Sequence, residues 1–242
     1  MELSYNLKIV ETLNSIEIYY YSKPIVLGIT RNKDGKGNKT DKKIVKKISL
    51  HRTKTTITRL INSNEWNYFL TLTYADDVSI EDSKIDLQNF IKKLRQMYYE
   101  FQYLYVLELT KRGRPHYHLL LNIDIGIIDD MKAYERFFAK VIWKHGFIKL
   151  KPIDSNDGSV GGYLVKYLNK DFDIDTKCRL WGHSRGLNNP VENLSFTTTD
   201  IYKLLEEMNI DIKYISSYTQ EYNHKGNEIV NRIIYVNGGI KE

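Results

Sequence analysis

Apolar and polar residues alternate over residues 68–74 and 147–153, the period of two that turns one face of a strand towards a core. Residues 103–109 and 116–123 are mostly apolar runs and predict two more strands, joined by a short connection that contains Gly113. Between these strands the period changes to that of a helix. Residues 83–101 carry Ile85, Phe90, Ile91, Leu94, Met97, Tyr98 and Phe101 on one side, with Asp82 or Ser83 available as the cap. Residues 131–143 do the same through Tyr134, Phe137, Phe138, Val141 and Ile142, and stop near Gly146. Residues 158–162 open a further helix at Tyr163. The order of these elements predicts an α+β fold, an antiparallel sheet of about five strands with helices packed against it.

The two ends of the chain follow other patterns. Residues 5–10, 16–21 and 24–29 are strand-like and suffice for a small sheet, whereas 31–43 lack apolar periodicity and read as an exposed basic loop. Residues 44–62 predict a basic helix. Beyond Pro190, a strand is expected over 193–199, a short helix over 199–208, and a hairpin from 213–222 and 228–236. The division that follows is a basic N-terminal extension over 1–65, a sheet-and-helix domain over 66–200, and a C-terminal helix and hairpin over 201–242.

Composition narrows the class only a little. Of 242 residues, 42% are apolar, enough for a substantial core, and the net charge is +6. The placement of that charge is more informative than its size. Between Arg31 and Arg59, eleven Lys or Arg stand against only Asp34 and Asp41, so the rest of the chain is slightly acidic. A polyanion is therefore the expected partner, with Arg52, Lys54 and Arg59 as candidate backbone contacts. Cys178 is the only cysteine, which excludes an intramolecular disulfide and a thiolate metal cluster and fits a reducing compartment. Apolar runs stay short of a membrane span, so a cytoplasmic location is expected, without a membrane partner.

The candidate chemistry lies in two stretches. His116 and His118 flank one residue, so on a strand both imidazoles leave the same face, and the hairpin at Gly113 brings Glu108 back beside them. Two nitrogens and one carboxylate oxygen suit Mn²⁺ or Mg²⁺ with open positions for a substrate oxygen. On a helix that turns about 100° per residue, Tyr163, Lys166, Tyr167 and Lys170 share one stripe, with Leu164, Val165 and Leu168 on the neighbouring arc. A phenol with cations beside it is a candidate nucleophile, because a free phenol, with a pKa of about 10, is a poor one. Arg112 and Arg114 flank the histidine hairpin and are candidate phosphate contacts. Thr71 and Thr73 are candidate DNA contacts on a strand that serves mainly as core.

Phe69-Leu-Thr-Leu-Thr-Tyr74, His116-Tyr-His118 and Tyr163-x-x-Lys166-Tyr167-x-x-Lys170 occur in an order and at spacings that resemble the HUH endonuclease superfamily. The resemblance is to the two-tyrosine rolling-circle replication initiators of phages and plasmids. Residues 179–187, Arg-Leu-Trp-Gly-His-Ser-Arg-Gly-Leu, are similar to the segment that follows the tyrosine helix there, which adds Arg179, Trp181 and Arg185 as candidate DNA contacts. The likeness runs from about Ile48 to Pro190, and the first and last 40 residues lie outside it. It implies an RRM-like, ferredoxin-like core with the histidines on a central strand. It also implies metal-dependent, site-specific nicking and joining of single-stranded origin DNA through a 5′-phosphotyrosine, in a bacterial host cell.

No Gly-x-x-x-x-Gly-Lys-Ser/Thr loop is present, so no nucleotide cofactor is expected, and a host helicase and polymerase are the expected partners. Three alternatives remain: an HUH transposase or relaxase, a non-catalytic RRM-like nucleic-acid-binding module, and a metal-dependent hydrolase that uses water.

Overall fold

The computed structural model describes residues 4–27, 42–110, 112–126, 128–153, 164–169, 179–224 and 227–240. Within them the chain is α+β, with two five-stranded antiparallel sheets. Its elements are β1 (Ser4–Glu11), β2 (Ile16–Val26), α1 (Lys42–Asn62), β3 (Tyr68–Tyr74), α2 (Ile80–Met97), β4 (Gln102–Leu109), β5 (Pro115–Asn122) and α3 (Met131–Phe138). They continue with β6 (Gly146–Pro152), β7 (Trp181–His183), β8 (Val191–Ser195), α4 (Ile201–Glu207), β9 (Ile210–His224) and β10 (Asn227–Ile240). Residues 51–188 form one compact unit, and residues 1–50 with 189–242 form another, the division falling inside α1. No helix among the described residues is long and apolar enough to cross a membrane.

In the first unit the strands run in the order β6-β3-β5-β4-β7, which puts β5 at the centre. Register gives this sheet two different faces. Tyr117, Leu119 and Leu121 of β5 share a core with Leu70 and Leu72 of β3, Leu107 of β4, and Ile148 and Leu150 of β6. Leu87, Phe90, Ile91 and Leu94 of α2 close that core at the spacing i, i+3, i+4, i+7. Each fully buried leucine contributes roughly 1.5–3 kcal/mol. The phenols that enter this core are satisfied. Tyr117 Oη lies 2.9 Å from Ser83 Oγ, and Tyr74 donates to Asp86 Oδ2 at 3.0 Å. Burial, with Asp86 beside it, pushes the Tyr74 phenol well above its usual range.

α2 begins earlier than the periodicity predicts. Ser79, not Asp82 or Ser83, is the cap, because its hydroxyl takes the Asp82 N–H at 3.0 Å while Glu81 and Asp82 occupy the positive first turn. Ser83 is buried inside the helix with its hydroxyl on Ile80 O, and the helix ends at Met97 rather than reaching Phe101. α3 also stops short of residue 143. It starts at Asp130, whose carboxyl is held below its usual range chiefly by the Ala133 N–H. Beyond Phe138 the turns widen into a π-helical segment, Ala139–Trp143, which puts Trp143 in the core with its indole N–H on Thr73 O at 3.1 Å.

Gly146 then turns the chain into β6 at φ 152°, where an added Cβ would stand 2.3 Å from Thr73 O and 2.5 Å from Ala75 N. Neither backbone atom can withdraw without breaking the β3–β6 ladder. Gly146→Ala is expected to cost about 3 kcal/mol, from overpacking and left-handed strain together, read as an earlier urea midpoint at unchanged slope.

In the second unit the strand order is β8-β1-β2-β10-β9. Segments read separately at the two ends of the chain therefore share one sheet. Ile201 and Leu205 of α4 pack on Leu7, Ile16, Ile18 and Val236. The separate strand expected over 24–29 is instead the end of β2, up to Val26, and residues 28 and 29 lie outside the described residues. Pro24 does not break β2, because pairing with β10 ends at Tyr21 and Asn231 bonds both Lys23 N and Lys23 O at 3.0 and 2.9 Å. The basic loop expected over 31–43 falls outside the described residues up to residue 41, and α1 starts at Lys42.

Candidate metal and nucleophile site

The face of the first sheet that turns away from α2 carries the candidate chemistry. Glu108 pairs directly with His116 across β4 and β5, and His118 lies two residues further along the same face. The connection behind them is tight, since Gly113 sits at φ 80° and donates its N–H to Thr110 O at 2.8 Å. One ligand atom from each of Glu108, His116 and His118 lies within 4.8 Å of the others. His118 Nε2 is 2.8 Å from Glu108 Oε2, with both side chains buried.

This set fits a divalent cation. A carboxylate buried beside two imidazoles is costly without a neutralising partner, and two nitrogens with one hard oxygen are a donor set for such an ion. The other ring nitrogen of His118 is also held, with Nδ1 at 3.2 Å from Thr71 Oγ1. A carboxylate only accepts, so contact with Glu108 puts the proton on Nε2 and leaves Nδ1 to accept from the threonine. If Nε2 turns its lone pair to a cation, Nδ1–H donates to the same hydroxyl, which serves either tautomer. Thr71→Val is therefore expected to weaken Mn²⁺ binding about 10–100-fold and Thr71→Ser to restore it, measured by calorimetric titration.

Tyr167 comes to this site from the far side of the sequence. Its ring stacks on His118 with centroids 3.6 Å apart and planes 20° apart, and Phe69 of β3 stacks more loosely on both, at 5.8 and 6.1 Å. The described stretch 164–169 contains a helical turn and then the tight 3₁₀ turn Lys166–Asn169, which lies beside β4. Leu164 is fully buried, in keeping with an anchoring role, and Lys166 is exposed. Tyr163 and Lys170 lie outside the described residues.

The candidate DNA contacts divide by surroundings. The Arg114 guanidinium is already held by Asp77 and by Ala75 O, while Arg112 is exposed in the turn. Arg52 is exposed on α1, and Lys54 and Arg59 are half-exposed. On β7, Trp181 pairs with Val106, one strand away from His118, and the Arg179 guanidinium lies 5.8 Å from its ring centroid. Arg185 is exposed, but Ser184 is buried and bonds Tyr103 through both its N–H and its hydroxyl. Thr71 and Phe69 are the site residues whose roles the motif alone does not reveal. Their signal is parity with His118 across β3 and β5.

A central-strand pair of histidines, a carboxylate from the adjacent strand and a tyrosine on the imidazole define a sheet-borne site of the kind the motifs imply. The model of a replication-associated protein family, described by its ORF2 member, matches residues 67–172, which include all of these groups. The chain is similar to the Phasyl DNA replicon protein arp of Escherichia coli, with 33% identity over 130 residues, 45% of this chain and 45% of that protein. It is also similar to Replication-associated protein ORF2 of Spiroplasma virus 4, with 29% identity over 152 residues, 48% of this chain and 46% of the relative. The chain thus spans less than half the length of either relative. No solved structure matches it. These matches support the resemblance to rolling-circle replication proteins, and the family match falls on the residues that carry the motifs.

Proposed function

We propose that this protein initiates rolling-circle replication by cutting single-stranded origin DNA and rejoining it through a phosphotyrosine. The observation that carries the proposal is the Tyr167 ring on His118, within a buried Glu108/His116/His118 cluster, in a region similar to replication-associated proteins. Held by those three side chains, Mn²⁺ or Mg²⁺ would supply Lewis-acid polarisation of the scissile phosphate.

The remaining steps belong to the chain's own residues. Thr71 fixes the His118 ring, and the sheet holds Glu108 and His116 in register with it. The phenol oxygen of Tyr167 or Tyr163 attacks phosphorus in line. A bond forms from that oxygen to phosphorus as the bond from phosphorus to O3′ breaks, and the 3′ oxygen leaves with a proton as a free hydroxyl. Lys166 and Lys170 offset the charge of the phosphate. The phosphodiester energy is kept in the tyrosyl ester, so no nucleotide is hydrolysed. The free 3′ end primes synthesis, and the second tyrosine cuts the regenerated origin. A host helicase and polymerase do the unwinding and copying in the cytoplasm of a bacterial cell.

The end chemistry of the product tests this reading. Single-stranded replicon fragments labelled at the 5′ end should yield a labelled product that a polymerase extends, leaving the unlabelled half attached to protein. A product with a 5′-phosphate and no protein attached would instead indicate hydrolysis by water. Binding without any cut would indicate a nucleic-acid-binding module.

A further inference from the structure

The face that carries Glu108, His116 and His118 continues past β3 to β6, the edge strand of the sheet. Register places Phe147 opposite Thr73, which is itself opposite His116 and then Glu108, so these four residues form one row across four strands. The next row reads Lys149, Thr71, His118, and the one after it Lys151, Phe69, Leu120. Phe147 is 69% exposed although it sits in the row of the metal ligands. Singly exposed apolar residues are common and need no explanation. Phe147 differs in its surroundings: only the short Thr73 and Thr71 side chains lie between it and the histidines, and Lys151 is exposed on the same strand and face.

The geometry points to a nucleotide-binding shelf on β6 for the DNA strand beside the cut. We infer that a base next to the scissile phosphate stacks on Phe147, while Lys151 meets the backbone phosphate that follows. Strand spacing puts Phe147 about 10 Å from His116, within reach of a neighbouring nucleotide on an extended strand that crosses the threonine floor. The stacking partner is any base, because every base has a π face, and the cation is matched to a phosphate rather than to a sequence. Lys149 is a poorer phosphate partner, since its ammonium lies 3.2 Å from Glu135, which also accepts from Leu150 N. The inference rests on the proposed cutting of single-stranded DNA and specifies where the substrate lies.

The test is anisotropy titration of the full chain with a fluorescein-labelled oligothymidylate, alongside adduct formation on fragments of its replicon. Phe147→Ala is expected to weaken binding about tenfold with the salt slope unchanged, and Phe147→Tyr to restore it. Lys151→Ala is expected to lower the salt slope by about one. Because Phe147 is so exposed, the thermal midpoint of Phe147→Ala and its Mn²⁺ affinity should equal those of the parent. Equal affinity of Phe147→Ala and parent for the oligonucleotide would overturn the shelf even if adducts form normally. Weakened binding in a protein that forms no adduct would uphold the shelf and sink the cutting reaction instead.

Discussion

Glu108→Gln is expected to lower Mn²⁺ affinity at least a hundredfold and to slow cutting about a thousandfold at fixed metal, while the protein stays folded. The substitution keeps the shape of the side chain and removes only its charge. That charge is buried, directly opposite His116 and 2.8 Å from His118 Nε2, so little solvent is present to take over its role. A neutral amide still offers an oxygen to His118 but no longer neutralises a divalent ion between the imidazoles. The measurements are calorimetric titration of Mn²⁺ into parent and variant, and single-turnover cutting of a replicon fragment. Unchanged metal affinity would mean that the three side chains are a hydrogen-bonded cluster and not a metal site.

The second large effect concerns Tyr167. Tyr167→Phe leaves the ring that stacks on His118 at 3.6 Å and deletes only the hydroxyl, so metal and oligonucleotide affinities should be preserved. The first cut, in contrast, should fall by at least about a thousandfold if this phenol initiates the reaction, because water at the same position lacks the covalent route. Single-turnover assays of Tyr167→Phe and Tyr163→Phe in parallel make the assignment. A normal first cut in Tyr167→Phe, with loss in Tyr163→Phe, would give the initiating role to Tyr163 and leave Tyr167 for the second cut.

Much of the site was legible because it is local in sequence. Glu108 and His116 are separated by one hairpin whose turn contains Gly113, and His116 and His118 differ by the strand period, so shared orientation follows from spacing alone. The bond from Thr71 to His118 could not be read in that way. It depends on the pairing of β3 with β5, and a slip of one residue in that register would have turned Thr71 to the other face. Only once the register is known do Thr71 and Phe69 belong with the histidines.

The fold shows the same division between local and distant information. The helical spacing of Phe90, Ile91 and Leu94 correctly marked the buried face of α2, but Ser79, Asp82 and Ser83 all suit a cap, and composition does not choose among them. The strand-like ends of the chain were visible one by one. That β1 lies between β2 and β8, and β10 between β2 and β9, was not, because those partners come from opposite ends of the sequence. Pro24 suggested a break that the structure avoids by ending the β10 ladder just before it.

The most direct test of the central claim is covalent capture. The full chain is mixed with single-stranded fragments of its own replicon in Mn²⁺, Mg²⁺ or EDTA, resolved under denaturing conditions, and any adduct is mapped by peptide mass spectrometry. The account predicts a metal-dependent shift that survives denaturation, maps to Tyr163 or Tyr167, and is lost in the Tyr163→Phe, Tyr167→Phe double variant. Reversible binding across the whole replicon with no adduct in either metal would contradict it.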